Sequence, residues 1–152
     1  MKRFFLVVLI FFTSSCGFKV VDYSKLTNFR IVNIQTKGEK RINYKLKNKL
    51  LINNKDINAK SIDLRLKTTK QKIIKEKNLR NEITKYSLKI IVNVEALHDV
   101  EKIFFNIIKR GDYAVNDKYS KTLNNEKKLI ELLTDDIADE IYEELINNLN
   151  DL

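Results

Sequence analysis

The chain has 152 residues, of which 43% are hydrophobic and 32% are charged, and its formal net charge at pH 7 is +9. This composition excludes an intrinsically disordered chain, and the length suits one domain with one core. A single cysteine excludes an internal disulfide, and a single histidine leaves no recognisable zinc site or Cys-His catalytic pair.

The first residues follow the pattern of a secretory signal peptide with a lipoprotein cleavage site. A basic pair at residues 2 and 3 precedes the apolar residues 4–12, and residues 13–16 read Thr-Ser-Ser-Cys. The apolar stretch is shorter than the roughly 20 residues that span a bilayer, so a permanent transmembrane helix is the weaker interpretation. The sequence therefore predicts that residues 1–15 are a signal peptide and that Cys16 becomes the first residue of the mature chain.

Cys16 is the expected lipid-attachment residue, because the small residues in front of it suit the processing enzymes. A secreted protein with a chance cysteine near its cleavage site is the alternative, but that thiol would then have no disulfide partner. Gly17 is not the Asp that typically marks retention at the inner membrane, which favours the outer membrane. Residues 16–28 are then a lipidated tether, and residues 29–152 form a single domain.

Charge divides the mature chain into a basic body and an acidic end. Residues 16–125 contain 25 Lys and Arg against 11 Asp and Glu, whereas residues 126–152 contain 2 against 9. Nucleic acid is not an expected partner of an exported protein, so the natural anionic partners are phosphorylated lipids or an acidic protein surface. A solvated lysine-rich surface without a partner is the alternative.

The first predicted element is a strand at residues 29–36, whose alternation breaks at residues 31 and 32 and so indicates a bulge. Gly38 is expected to end this strand. A helix is predicted next, at residues 42–54. Its apolar residues recur at four-residue spacing: Ile42, Leu46, Leu50.

Three further strands are predicted in the middle of the chain. Period-two alternation of apolar and polar residues places half-buried strands at residues 62–67 and 86–95. Residues 71–82 are expected to form the distal ends of both strands and a mobile hairpin loop. A short turn at residues 96–101 leads into a fourth strand at residues 102–110.

A long second helix is predicted at residues 126–149, with Asn124 or Asn125 as its N-terminal cap. Its apolar stripe comprises Leu129, Leu133, Ile137, Ile141, Leu145 and Leu149, widened by Leu132, Ala138 and Ile146. Its predicted outer face comprises Asp135, Asp136, Asp139, Glu140, Glu143 and Glu144. Such a face is usually solvated, although it also suits a basic partner.

These elements predict an α+β fold with the order β-α-β-β-β-α. Two helices with apolar stripes can cover one face of a four-stranded antiparallel or mixed sheet, which gives a two-layer sandwich.

The opposite face of this sheet is the candidate binding surface for a lipid or a protein partner. If Leu64, Leu88 and Phe105 point toward the helices, alternation sends a mixture of cations and bulky apolar groups to the other side. The candidate residues are Arg65, Lys67, Lys89, Ile91, Phe104, Ile108 and Arg110. Cations suit phosphate groups and apolar side chains suit acyl chains, or burial against a barrel wall. A register shifted by one residue in the fourth strand, or cover by a loop, is the alternative.

No catalytic motif is present in the sequence. His98 is expected in a turn beside Asp99, and the glycines are too scattered for a loop that binds phosphate. The triplet Arg110-Gly111-Asp112 is expected to mark a strand end, where Gly permits a positive φ. We therefore expect neither an enzyme nor a cofactor or metal site.

Cys16-Gly17-Phe18, followed by the predicted order of elements, resembles the LPS-assembly lipoprotein LptE family over almost the whole mature chain. The sequence lacks the Pro that often follows this triplet in the family. The resemblance implies a lipid-anchored protein of the outer membrane that faces the periplasm and is seated within the LptD outer-membrane barrel. There it would support barrel assembly and help deliver lipopolysaccharide to the outer leaflet. Only Cys16 is carried over as a functional residue.

Two other classes of protein fit the same features. An auxiliary lipoprotein of an ABC-type lipid transport system would share the tether and the α+β body. A structural envelope lipoprotein, which binds peptidoglycan or another assembly machine, would not bind lipid.

Overall fold

The computed structural model of the chain describes residues 29–52 and 59–150. The predicted signal peptide, the tether and Cys16 lie outside the described residues. Six elements follow one another along the chain: β1 (Phe29–Gly38), α1 (Lys40–Ile52), β2 (Lys60–Lys77), β3 (Ile83–His98), β4 (Glu101–Ala114) and α2 (Tyr119–Asn150).

The predicted α+β fold and its order β-α-β-β-β-α are confirmed, and the sheet is mixed. Its four strands lie in the order β1-β2-β3-β4. β1 runs parallel to β2, with α1 as the crossover between them, whereas β2, β3 and β4 form an antiparallel meander. The register between β1 and β2 shifts between Ile31 and Asn33, which is the bulge that the broken alternation predicts.

The core lies between the sheet and the two helices. The inward residues of β2 and β3 alternate as the sequence predicts, and Leu64 and Leu88 are fully buried. The other large, fully buried side chains are Ile31, Ile42, Leu46, Leu50, Ile62, Leu66, Ile90, Ile107, Ile137 and Ile141. All elements thus contribute to one core, which explains why the domain needs both helices on the same side.

The strands β2 and β3 extend much further than their alternating segments indicate. They pair from Asp63 and Leu97 as far as Lys77 and Ile83, and every residue from 71 to 82 is exposed. The turn is held by the Asn78 side chain, whose Oδ1 accepts from the backbone N–H groups of Arg80 and Glu82. Pairing across the ribbon therefore replaces most of the predicted hairpin loop with strand.

The prediction that α2 begins after Asn124 or Asn125 is wrong, because the helix begins at Tyr119. The carbonyl of Lys118 accepts from the N–H groups of Lys121 and Thr122, and the Thr122 hydroxyl accepts from the N–H of Asn116. Asn125 instead donates from its side chain to the carbonyl of Ala114. The first turns are polar, so hydrophobic periodicity does not reveal them.

One detail of the predicted apolar stripe of α2 is also wrong. Leu132 is 57% exposed, whereas Ile130 and Tyr142 are buried. The acidic side is not purely solvated, because Lys49 of α1 pairs with Asp135 and Asp139 at 3.3 and 3.2 Å. Glu140 pairs with Lys109 of β4. Part of the acidic charge of α2 therefore binds the basic body of the same chain.

Gly38 joins β1 to α1 in a conformation that other residues rarely adopt. Its φ is 102°, and a β-carbon at this position would overlap the backbone carbonyl oxygen of Thr68. The same carbonyl accepts from the N–H of Glu39, at 3.3 Å. The Asn43 and Thr68 side chains are buried beside this junction and share a hydrogen bond of 2.6 Å. The junction is thus fixed against β2 by backbone contacts that leave no room for a side chain.

The prediction that Gly111 ends a strand at a positive φ is wrong. β4 continues to Ala114, and Gly38 is the one described glycine whose φ is positive. Gly111 instead lets the side chain of Leu129 approach β4 closely, because a β-carbon there would meet the Leu129 methyl groups. Leu129 is only partly buried and flexible, so its side chain can shift.

We expect Gly38→Ala to lower the free energy of unfolding by at least about 1–3 kcal/mol, the usual cost of a strained backbone conformation. The overlap with the Thr68 carbonyl adds to this cost, since two backbone segments must separate. Denaturant unfolding measures the change. Gly111→Ala is the matched control and should cost less, because only the flexible end of Leu129 has to move. Equal losses for the two variants would contradict this account of Gly38.

Candidate binding face

The sheet face that points away from the helices carries all seven candidate residues, and we call it the open face. Alternation places them there, because Leu64, Leu66, Leu88, Ile90 and Ile107, which alternate with them along the strands, are buried in the core. The pairing register then brings them together from β2, β3 and β4. The fourth strand has the register that the candidate surface requires, since Ile107 is buried and Phe105 packs against the core.

The register arranges the outward side chains in rows that cross the strands. Four rows follow one another from the turn between β3 and β4 toward the turn between β2 and β3. They are Gln35, Arg65, Glu95 and Phe104; Lys37, Lys67, Asn93 and Asn106; Thr69, Ile91 and Ile108; and Gln71, Lys89 and Arg110. Two rows therefore contain neighbouring cations, and a row with Ile91 and Ile108 lies between them.

Two cavities indent the open face. The larger, with a volume of about 430 Å³, is lined by Lys37, Arg65, Lys67, Glu95 and Phe104, together with Asn93 and other residues of β1, β2 and β3. The smaller, of about 190 Å³, is lined by Gln71, Ile73, Ser87, Lys89 and Arg110. Both cavities thus combine cationic groups with at least one apolar side chain.

The apolar part of the open face is exposed. Phe104 is 68% exposed and Ile108 is 44% exposed, while Ile91 between the strands is half-buried. No described loop covers Phe104 or Ile108. Phe104 and Ile108 lie on the same side of β4 with Asn106 between them, and both side chains are available to an apolar partner.

The candidate cations differ in their electrostatic partners. Arg65 pairs with Glu95 at 3.3 Å, and Lys102 approaches the same carboxylate at 3.6 Å. Within the part of the chain that the structure describes, Lys67, Lys89 and Arg110 form no ion pair. Arg65 is therefore already partly neutralised, whereas the other three present their full charge to a ligand.

Asp112 is the carboxylate nearest to Arg110 in sequence on the open face, but it is engaged elsewhere. Hydrogen bonds from Lys75 and Ser87 hold the pKa of the Asp112 carboxyl below its ordinary value. The ion pair with Lys75 links the distal part of β2 to β4 across β3. This arrangement leaves Arg110 available at the edge of the smaller cavity.

A second charged cluster lies on the helix side of the sheet and has a structural role. The Lys72 ammonium lies 4.2 Å from the centre of the Tyr86 ring and 2.8 Å from Glu126 of α2, and Tyr113 donates to the same carboxylate. Burial alone would raise the pKa of Glu126, but the hydrogen bonds from Lys72 and Tyr113 outweigh it and lower that pKa. This cluster fastens the start of α2 to the sheet.

Sequence reasoning missed Lys37, which lies beside Lys67 on the open face. The bulge in β1 reverses the alternation after Ile31, so the outward residues of that strand cannot be read from its beginning. The bulge lies near the start of β1, so alternation counted back from Gly38, the last residue of the strand, correctly identifies Lys37 as an outward residue.

The described residues hold no group of three or more His, Cys, Asp or Glu side chains suited to a metal ion. His98 is the last residue of β3, and its Nδ1 lies 3.2 Å from the carbonyl oxygen of Ser61. Across residues 29–52 and 59–150, neither helix has the length and hydropathy that a membrane span requires.

Neither a protein-family model nor a curated protein matches the chain. Solved structures do share its fold. Rare lipoprotein B from Shewanella oneidensis has a TM-score of 0.62 at 18% identity, covering 79% of this chain and 98% of that protein. The uncharacterized lipoprotein B from Nitrosomonas europaea has a TM-score of 0.53 at 12% identity, covering 82% and 88%. The minor lipoprotein from Acinetobacter baumannii has a TM-score of 0.51 at 16% identity, covering 78% and 94%. The chain is thus similar in fold to several bacterial lipoproteins.

We expect joint replacement of Phe104 and Ile108 by Ser to change the free energy of unfolding by less than about 1 kcal/mol, as exposed substitutions do. Ile107→Ala on the same strand is the matched variant. It should cost about 2–5 kcal/mol, because it removes a side chain that is 1% exposed. Denaturant unfolding compares the two. Similar losses would show that both faces of β4 belong to the core.

Proposed function

We propose that this protein is an outer-membrane lipoprotein that assists lipopolysaccharide assembly in complex with the LptD barrel, as a binding protein and not as an enzyme. The observation that carries the proposal is the open face. It places Lys67, Lys89 and Arg110, which form no ion pair among the described residues, beside the exposed Phe104 and Ile108. Cations paired with apolar groups suit a phosphorylated glycolipid, because phosphates and acyl chains must be contacted by the same surface.

The beginning of the sequence supports the same proposal. The predicted signal peptide and the Ser-Ser-Cys junction favour lipid attachment at Cys16, and the absence of Asp at residue 17 favours the outer membrane. The fold agrees with this, since several solved proteins of the same fold are bacterial lipoproteins. Attachment at the outer membrane would hold the domain on the periplasmic side.

The proposed partner is a barrel, because the exposed patch around Phe104 also suits burial against a protein wall. In the complex, the basic open face would contact acidic groups of the partner or lipid phosphates. The acidic residues of α2 that remain exposed, such as Asp136, lie on the other layer of the domain.

Isolation of the tagged chain from native membranes tests this function. We expect its largest co-purifying partner to be an outer-membrane barrel. Recovery of an inner-membrane transporter would identify an auxiliary lipoprotein of an ABC-type lipid transport system. Recovery of peptidoglycan or another assembly machine would identify a structural envelope lipoprotein. Either result would contradict the proposal.

We expect Cys16→Ser to prevent lipid attachment and to release the chain from membranes, because no described segment can span the bilayer in its place. Membrane fractionation and mass measurement of the chain provide the readout. Ser15→Ala is the matched control, since it keeps a small residue before the cysteine and should remain membrane-bound. A Cys16→Ser protein that is processed and held at the membrane as before would contradict the lipoprotein interpretation.

Binding of the full chain to lipopolysaccharide should weaken as the ionic strength rises. Lys67, Arg110 and the phosphate groups would meet where water and salt have access, and at 0.15 M salt screening acts over about 8 Å. Titration in a neutral detergent between low and high salt measures the effect. Binding that is independent of salt, or absent at low salt, would contradict an electrostatic role for the open face.

A further inference from the structure

Two pairs of like charges face each other directly across neighbouring strands of the open face. Lys37 of β1 is the register partner of Lys67 of β2, and Lys89 of β3 is the partner of Arg110 of β4. We call these the first and second cation pairs. Like charges in this arrangement destabilise a sheet. None of the four forms an ion pair with any residue that the structure describes, so all four are available to an anionic ligand.

Each cation pair lines a different cavity. The first pair lines the cavity of about 430 Å³, and the second pair lines the cavity of about 190 Å³. Other polar groups accompany each pair: the amide of Asn93 in the first cavity, and the Gln71 amide and Ser87 hydroxyl in the second. The first cavity is also lined by Arg65 and Glu95, which form an ion pair with each other and so leave Lys37 and Lys67 as its unpaired cations. Each cavity therefore holds two unpaired cations and neutral groups that can donate hydrogen bonds to an anion.

The distance between the two pairs excludes a single small anion as the common ligand. Asn93, the partner of Lys67, lies four residues along β3 from Lys89, which corresponds to about 13 Å along the strand. The centres of the pairs are also two strand spacings apart, which adds about 10 Å across the sheet. One phosphate group can reach one pair but not both.

The surface between the two pairs is not cationic. The row of Thr69, Ile91 and Ile108 separates them and is uncharged, and Ile108 is 44% exposed. A ligand that crosses this row gains by burying neutral or apolar atoms there. A second copy of this chain is a poor occupant, because packing two open faces together would bring cations against cations.

We propose that the open face recognises an amphiphile with two separate phosphate groups, one for each cation pair, and that its neutral backbone lies over the row of Ile91 and Ile108. This inference rests on the proposed function and deepens it. It assigns Lys37 and Lys67 to one phosphate of the glycolipid, Lys89 and Arg110 to the other, and makes the number of phosphates the property that the face selects.

Titration of the full chain in a neutral detergent with three probes tests this selection. The probes are lipid A with two phosphates, lipid A with one phosphate and the same acyl chains, and the deacylated disaccharide with two phosphates. The two-phosphate lipid should bind more tightly than the one-phosphate lipid by about tenfold or more, the effect of losing one set of charged hydrogen bonds. The deacylated probe should also bind more weakly, because it lacks the acyl chains that the exposed Phe104 can contact.

Single substitutions assign each cation pair to its phosphate. Lys67→Gln and Lys89→Gln should each reduce the affinity for the two-phosphate lipid to near that for the one-phosphate lipid. Only one of the two should alter the affinity for the one-phosphate lipid, because its single phosphate occupies one pair. Lys128→Gln is the matched control, since Lys128 is an exposed lysine of α2, and it should change neither affinity.

Thermal unfolding without ligand is a second measurement, and it distinguishes the loss of a charge from the loss of structure as the cause of weaker binding. Lys67→Gln and Lys89→Gln should raise the unfolding midpoint slightly, because each removes a repulsion across the sheet. Lys128→Gln should leave it unchanged. Affinity and stability are therefore expected to change in opposite directions at the cation pairs.

Equal affinity for the two lipids would overturn the proposal, as would equal effects of Lys67→Gln and Lys89→Gln on both lipids. Displacement of the two-phosphate lipid by a short acidic peptide at similar concentration would also overturn it, since the face would then bind acidic proteins. These outcomes are separable from the proposed function. Failure to co-purify with a barrel contradicts that function even where the two-phosphate lipid is preferred, and equal lipid affinities leave the barrel complex unaffected.

Discussion

The alternation of side chains along β2 and β3 is the constraint on which the structure depends. Each strand can turn only one set of side chains toward the helices, and here that set is the apolar one, with Leu64, Leu66, Leu88 and Ile90 all buried. Burial of this set fixes the register, because a slip of one residue would expose the whole core. The composition of the open face follows directly, since the residues between these core positions have no other direction in which to point.

The distribution of charged residues over the domain is a second structural feature, which the net charge of the chain does not show. Some acidic residues of α2 form ion pairs with Lys49 of α1 and Lys109 of β4. These ion pairs are largely exposed and individually contribute little to stability. On the open face, Arg65 and Lys102 lie beside Glu95, and Lys75 pairs with Asp112. Lys67, Lys89 and Arg110 form no ion pair among the described residues, so their charge remains available on the layer that the helices do not cover.

Much of the fold could be predicted from the sequence, because period-two and period-four patterns are direct consequences of burial. The start of α2 could not, since Tyr119 to Asn125 form helix through backbone capping by Lys118 and side-chain bonding by Thr122, without an apolar stripe. The distal ends of the strands within residues 71–82 were expected, but not that β2 would extend to Lys77, because both faces there are solvated and pairing with β3 sets the extent. For the candidate surface, the strand residues followed from alternation. Lys37 did not, because the bulge in β1 reverses parity.

The parallel pairing of β1 with β2 also determines the polarity of the domain. Phe29, the first described residue, is paired with Lys60, so the chain enters at the same end of the sheet as the turn between β3 and β4. The turn between β2 and β3 lies at the opposite end, and the 18 residues of β2 correspond to a length of about 60 Å. The ribbon tip at residues 78–82 therefore lies at the opposite end of the sheet from the point where the chain enters the described domain.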